Sequence, residues 1–214
     1  MARYVLALEG GARMDDLAIL DGKVRACQAC RLGRGRTHAV PGSGSPHAEI
    51  MFIGEAPGFH EDQQGLPFVG AAGQFLEELL QSIGLSRKDV FIANVIKCRP
   101  PNNRDPQPDE LEACRPFLDQ QIALIRPKVI VTLGRFSMQL AYAGASISQV
   151  HGTPVRVGDI TYYPMFHPAA ALHQPHYRQM IEQDMLRLPK LLAEIKGGQQ
   201  PPAQAERPEQ LSLF

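Results

Sequence analysis

A three-layer α/β/α fold with a central, mainly parallel four-stranded sheet is what this sequence predicts, on three observations. Short apolar or β-branched runs at 49–54, 90–97 and 128–133 each have the length of a buried strand. Helical periodicities fill the intervals between them, at 71–84 and 109–125. The resulting order β, α, β, α, β calls for parallel strands joined by right-handed crossovers, which places helices on both faces. With 214 residues, 44% hydrophobic and 21% charged, the chain suffices for one such domain and is short for two.

Taken in order, 14–27 has Leu17, Leu20 and Val24 at helical spacing and leads into a Gly- and Arg-rich ordered loop over 31–47. The run 49–54 stops at Gly54, and GEAPGFHEDQQGLPFVGAAG follows, with three acidic residues, one His and two Pro. That is the wrong chemistry for a packed core. It lies beyond the carboxyl end of a strand, where parallel sheets bind ligands. The helix over 71–84 carries Phe75, Leu76, Leu79, Leu80 and Ile83 on one stripe and stops at Gly84; that over 109–125 is entered by Pro108 and Asp109 and closed before Pro127. Strands at 153–157 and 160–166 are joined by the Gly158-Asp159 turn, and a last helix spans 176–195, disturbed at Pro189. After Lys196 the composition changes to GGQQPPAQAERPE, too polar to bury a core. The expectation is a single domain over 1–196 and a disordered tail over 197–214.

Lys and Arg (22) balance Asp and Glu (22), so net charge alone points to neither nucleic acid nor membrane. The apolar stretch near the N-terminus is about five residues long with Glu9 behind it, and no window reaches the roughly 18 apolar residues of a span. A cytoplasmic protein is expected. In that reducing compartment four cysteines read as ligands or free thiols rather than disulfides.

Cys27 and Cys30 form a CxxC, and Cys98 and Cys114 lie further along with 15 residues between them. Converged, they make a four-thiolate site, for which zinc and an iron-sulfur cluster both remain open on spacing. Lys23, Arg25, Arg31, Arg34 and Arg36 surround the first pair; Lys97, Arg99, Arg104 and Arg115 flank the second. If the cysteines meet, so do these bases, and a local positive patch suited to phosphate results. Two further side chains stand out. Asn94 sits inside an apparent strand, where an amide needs a partner and can read the edge of a nucleobase. His167 follows an apolar strand and precedes Pro168.

GEAPG with ED and GLPFVGAAG, then NVIKCRPPNNR with PDELEAC, then MFHPAAALH, with the CxxC ahead of them, resemble the iron-sulfur uracil-DNA glycosylases, family four of the uracil-DNA glycosylase superfamily. The likeness runs in the same order over about 14–191 and implies that superfamily's fold. It implies a monofunctional glycosylase that hydrolyses the N-glycosidic bond of uracil in DNA and leaves an abasic site. It also implies a 4Fe-4S cluster on Cys27, Cys30, Cys98 and Cys114. Phe68 falls where the family stacks a ring on the extruded uracil, Asn94 on the amide that reads the uracil edge, His167 on the histidine facing O2, and Glu55 on the water-handling carboxylate. Ala56 and Pro57 would line the same pocket, and Glu61 is the candidate for a block against the thymine methyl.

Arg99 and Arg104 are candidate DNA contacts. The family commonly carries a leucine and a basic residue in the loop that probes the duplex; here these are Leu172 and His173, so the wedge is kept and the phosphate contact weakened. A related branch captures uracil-DNA through a histidine in a basic insertion after the Asn motif, whereas this chain has NNRDPQPDE and no His, which favours turnover. QLSLF resembles the pentapeptide with which bacterial repair proteins dock on the sliding clamp, with Leu211, Leu213 and Phe214 as apolar anchors and Gln210 as an amide. The linker over 197–209 would tether it across about 20 Å. The competing reading is a non-catalytic iron-sulfur adaptor recruited by the clamp, which would not need Glu55, Asn94 and His167. A monomer associated with the nucleoid is expected.

Overall fold

The computed structural model describes residues 10–203, with side chains from Met14 onward. Strands β1 (Ser43–Gly44), β2 (Ile50–Gly54), β3 (Phe91–Asn94), β4 (Val129–Leu133), β5 (Val155–Val157) and β6 (Ile160–Met165) form one sheet in the order β1-β3-β2-β4-β6-β5. The four central strands are parallel, as the alternation of elements requires. Short antiparallel strands, β1 and β5, cap the two edges. β1 lies inside the segment read as loop, and two residues are too few to carry a period.

Helices α1 (Gly10–Ala26), α2 (Leu32–Gly35), α3 (Phe59–Gln64), α4 (Ala71–Ser82), α5 (Pro108–Ile125), α6 (Arg135–Met138), α7 (Ile147–Val150), α8 (Pro168–His173) and α9 (Pro175–Lys196) surround the sheet. Successive strand residues face opposite sides. On one face Ile50, Phe52, Val129, Val131, Tyr163 and Met165 pack against Leu76, Leu79 and Leu80 of α4 and Ile181, Met185 and Leu188 of α9. On the other, Met51, Ile53 and Ile130 meet Leu17 of α1 and Leu118 and Ile125 of α5. Every residue of β2 and β4 is buried, which is why those strands read as unbroken apolar runs.

The connection leaving β2 runs to β3 on one side, while that leaving β4 runs to β6 on the other. Right-handed crossovers in opposite directions put their helices on opposite faces and open a crevice at the carboxyl ends between them. Several expected boundaries shift for physical reasons. The run 90–97 ceases to be strand at Asn94: Val95 and Ile96 still donate to the carbonyls of Gly54 and Glu55, but the Lys97 amide turns to Cys114 Sγ at 3.2 Å. α9 continues through Pro189, whose missing N–H removes one intrahelical bond without ending the helix. The start of the expected tail is held, because the Arg156 amide of β5 donates to the Pro202 carbonyl at 2.9 Å and Ala203 bridges Arg156. Gln210, Leu211, Leu213 and Phe214 lie outside the described residues. No helix among those described is long and apolar enough to cross a membrane.

Candidate active site

A cavity of about 350 Å³ opens beyond the carboxyl ends of β2, β3 and β6, within the range of small-molecule sites. Glu55, Ala56, Pro57, Glu61, Phe68, Asn94 and His167, drawn from three separate stretches of chain, all lie in its wall. Asn94 ends β3 and is 2% exposed. Its Oδ1 is buried with no hydrogen-bond partner, a condition shared among the described buried side chains only by Thr132 Oγ1. A buried acceptor left without a donor costs free energy unless a ligand supplies one. Gly54 stands beside it in register on β2, and a Cβ there would come within 2.5 Å of Asn94 Oδ1 and 2.7 Å of the Phe68 ring. Only glycine leaves that space open.

His167 caps α8: its Nδ1 accepts the Ala169 amide at 3.1 Å. Burial pushes its pKa down to about 4, an effect only partly offset by the Glu61 carboxylate. The ring is therefore neutral near pH 7, and with Nδ1 accepting, its proton resides on Nε2 as a donor. Glu55 is half-buried directly after β2. Burial raises its carboxyl above the usual range, Asp105 adds to the rise, and Arg135 partly opposes it.

Glu61, the candidate block against a thymine methyl, holds the loop through its carboxylate. Its Oε1 accepts the amides of Val69 at 2.8 Å and Gly70 at 2.9 Å, and its Oε2 accepts that of Gly58 at 3.1 Å. The carboxylate thus ties both ends of the 58–70 segment together, and this segment, read as loop, contains α3. Phe68 is held in the left-handed region at φ 53°, unusual for a bulky residue, with its ring stacked on His167 at 5.6 Å between centroids. What holds it there escaped the sequence. Arg87 Nη1 donates to the Phe68 carbonyl at 2.9 Å, and Nη2 reaches the Pro67 and Phe68 carbonyls. Gly73 leaves room for that same carbonyl, which a Cβ would meet at 1.9 Å. No motif marks an arginine in the turn before β3 as part of a pocket.

Cys27, Cys30, Cys98 and Cys114 line one small cavity between α1, α2 and α5. Arg36 Nη1 donates to Cys98 Sγ at 2.9 Å, and the Lys97 and Ala29 amides donate to Cys114 and Cys27 Sγ at 3.2 and 3.4 Å. Such donors favour sulfur as thiolate. As free thiols, burial pushes Cys98 up and Cys114 to about 11, the opposite of what an unliganded reactive cysteine needs. Among the described residues no three His, Cys, Asp or Glu side chains gather around a single metal-ion position.

The DNA-facing candidates separate. Leu172 and His173 are exposed at the end of α8, with Leu172 48% exposed. Arg104 lines the cavity but grips the fully buried Glu110 with both nitrogens, at 2.9 and 2.6 Å. Arg99 donates from Nε to Asn103 Oδ1 at 2.7 Å and has no carboxylate partner among the described ion pairs.

An α/β domain thus gathers an amide oxygen without a partner, a neutral imidazole donor, an aromatic ring and a raised carboxyl around one crevice, groups with the chemistry to hold a flat, polar ring. Residues 41–187 match the family described as the Uracil DNA glycosylase superfamily, and the chain belongs to it. It is 48% identical over 188 residues to the type-4 uracil-DNA glycosylase of Sulfurisphaera tokodaii, covering 83% of this chain and 86% of that protein. The type-4 uracil-DNA glycosylase of Saccharolobus solfataricus is likewise 48% identical, covering 84% and 88%. That of Archaeoglobus fulgidus is 45% identical over 197 residues, covering 88% and 97%.

Proposed function

We infer that this protein is a monofunctional uracil-DNA glycosylase of the type-4 kind, hydrolysing the N-glycosidic bond of uracil in DNA and leaving an abasic site for repair. The observation that carries this reading is Asn94 Oδ1, a buried acceptor without a partner at the edge of a cavity shared with His167 and Glu55. Uracil N3–H supplies the missing donor and O4 accepts from the amide nitrogen. Cytosine presents the opposite polarity at both places and leaves buried groups unpaired.

The uridine must first leave the stack, at a cost of a few kcal/mol, and enter the cavity against Phe68. As the bond breaks, negative charge develops on the departing base and cationic character on the sugar. The Nε2–H of neutral His167 faces the growing charge at O2 and strengthens its bond in the transition state. A neutral donor suits this role, since an imidazolium would also bind anions indiscriminately. Glu55 orients the attacking water and accepts its proton while its charge favours the cationic sugar. Ala56 and Pro57 give the wall its apolar surface, and Glu61 fixes the loop that brings Phe68 and Gly70 close, which narrows the space available to a C5 methyl. With NNRDPQPDE after the Asn motif, no histidine is at hand for covalent capture, so the abasic product is released.

Cys27, Cys30, Cys98 and Cys114 would hold a 4Fe-4S cluster. Four soft sulfurs on one cavity wall, with N–H donors aimed at three of them and Arg36 beside them, fit an anionic multi-thiolate group. The choice of an iron-sulfur cluster over a lone zinc rests on the likeness to the type-4 uracil-DNA glycosylases. When bound, such a cluster supplies iron-thiolate bonds that pin α1, the 97–98 turn and α5 to one another. The domain works as a monomer in the cytoplasm, near the nucleoid. QLSLF gives it a docking peptide for the sliding clamp, and tethering raises its concentration on DNA without new contacts in the pocket.

The test is alkali cleavage of a labelled oligonucleotide carrying one uracil, beside matched thymine and cytosine controls, with wild type and Asn94→Ala. Uracil-dependent abasic sites that fall by 100-fold or more in the variant, roughly the worth of a positioned catalytic group, support the reading. Intact uracil with DNA still bound means a non-catalytic adaptor instead.

A further inference from the structure

We propose that Phe59 and Arg99 form a stacking shelf at the mouth of the pocket that receives the base flanking the extruded uridine; this rests on the glycosylase reading and extends it to the neighbouring nucleotide. Phe59 opens α3 and is 51% exposed, a large ring left in water on a segment whose backbone Glu61 ties down. The Arg99 guanidinium lies over that ring, its Cζ 5.1 Å from the centroid. Asn103 Oδ1 fixes the guanidinium by accepting from Nε at 2.7 Å.

The pair borders the cavity directly. Gly58, Pro100 and Asn103, which neighbour Phe59 and Arg99 along the chain or bond to them, are in the cavity wall. A nucleotide whose base occupies the cavity can thus lead its own strand out past this shelf. The surrounding arginines are already spent: Arg104 is paired with Glu110, and Arg135 with Asp105. Arg99 gives its Nε to a neutral amide and keeps its charge uncompensated among the described ion pairs, so a phosphate is the partner it lacks. A fixed aromatic face beside an unpaired cation is the combination that binds a strand by stacking and backbone contact, with little preference among bases. Neither residue's side chain touches the uracil site, so they shape where the strand runs and leave the bond-breaking step to the groups inside.

The experiment measures kcat/KM for uracil release from single-stranded oligonucleotides in which the nucleotide on either side of the uridine is ordinary or an abasic tetrahydrofuran. Wild type should lose about 5- to 100-fold when one particular flanking base is removed, the range that base-aromatic stacking supports. Phe59→Ala should show that loss on the intact strand and become indifferent to the flanking base, while Phe59→Trp retains the wild-type pattern. Arg99→Gln should lower the salt dependence of binding by about one unit of slope, as loss of one phosphate contact does. Phe59→Ala that stays as sensitive as wild type to the missing base, or releases uracil at the wild-type rate, overturns the shelf and leaves the glycosylase reading intact. Wild type that releases no uracil from any strand overturns the glycosylase reading and the shelf with it.

Discussion

Asn94, His167 and Glu55 are each placed at odds with their own stability, and that is where single substitutions are most informative. His167 is held neutral with its pKa depressed to about 4, against 6.5 when exposed. The unfolded chain binds a proton there that the folded chain refuses, so this site's stability is complete above about pH 6.5 and is lost as pH falls towards 4. Denaturant titrations at pH 7 and pH 5 should show that loss shrinking in His167→Gln, while uracil release drops in the variant at both. Glu55 has the opposite sign: its carboxyl is raised, mainly by burial, so its ionisation near pH 7 opposes folding. Glu55→Gln should match or exceed wild-type stability at pH 7 yet turn over about 100-fold or more slowly in single-turnover assays, since a general base contributes at least that much. A variant both less stable and fully active would contradict the role. Of these three residues the sequence indicated identity and order. It did not indicate that Asn94 Oδ1 has no partner or that the imidazole proton sits on Nε2, because both depend on groups distant in the chain.

Elements set the pocket's width. β2 and β3 approach through Gly54 and Asn94, and Gly54→Ala would force a methyl into the Asn94 amide and the Phe68 ring. Overpacking of this kind costs about 1–3 kcal/mol. The variant should melt earlier and, under conditions where it is folded, release no uracil. The 58–70 segment is shaped by two grips, Glu61 from within on its amides and Arg87 from outside on the carbonyls of Pro67 and Phe68. Arg87→Ala should raise KM and weaken inhibition by free uracil about 10-fold, the worth of charge-assisted bonds to one carbonyl pair. In a Phe68→Ala background the same change should have little further effect. Additive losses in that double-mutant cycle would show Arg87 to be a general stabiliser instead. The main helices were legible because their period repeats over many residues, and the central strands because they are unbroken apolar runs. α3, α6, α7 and β1 were not, being too short for a period, and the 90–97 run misled because its last residues, though apolar, turn away towards the cysteines.

At the scale of the whole molecule, the four cysteines bracket the start and middle of the chain. Cys98→Ala should abolish absorbance near 400 nm and lower the unfolding temperature by more than about 5 °C, with the loss in folding exceeding that in chemistry. A soluble, iron-free variant as stable as wild type and normal in DNA binding would remove the cluster from the account of the fold. Deleting residues 210–214 should leave uracil release from short oligonucleotides unchanged and abolish retention on immobilised sliding clamp; unchanged retention would place the contact elsewhere.

The sequence by itself determined the α/β class, the parallel pairing of its main strands and the four cysteines, because apolar patterning, turn chemistry and ligand identity are local properties written along the chain, while the pocket's residues were named by its likeness to a known family. Only the tertiary structure decided which of those side chains are free to act. Glu61 and Arg104 proved committed to the protein's own backbone and to Glu110, while Arg99 and Asn94 Oδ1 kept unspent capacity. Whether a polar group is satisfied depends on partners brought from far along the chain, and folding alone brings them together.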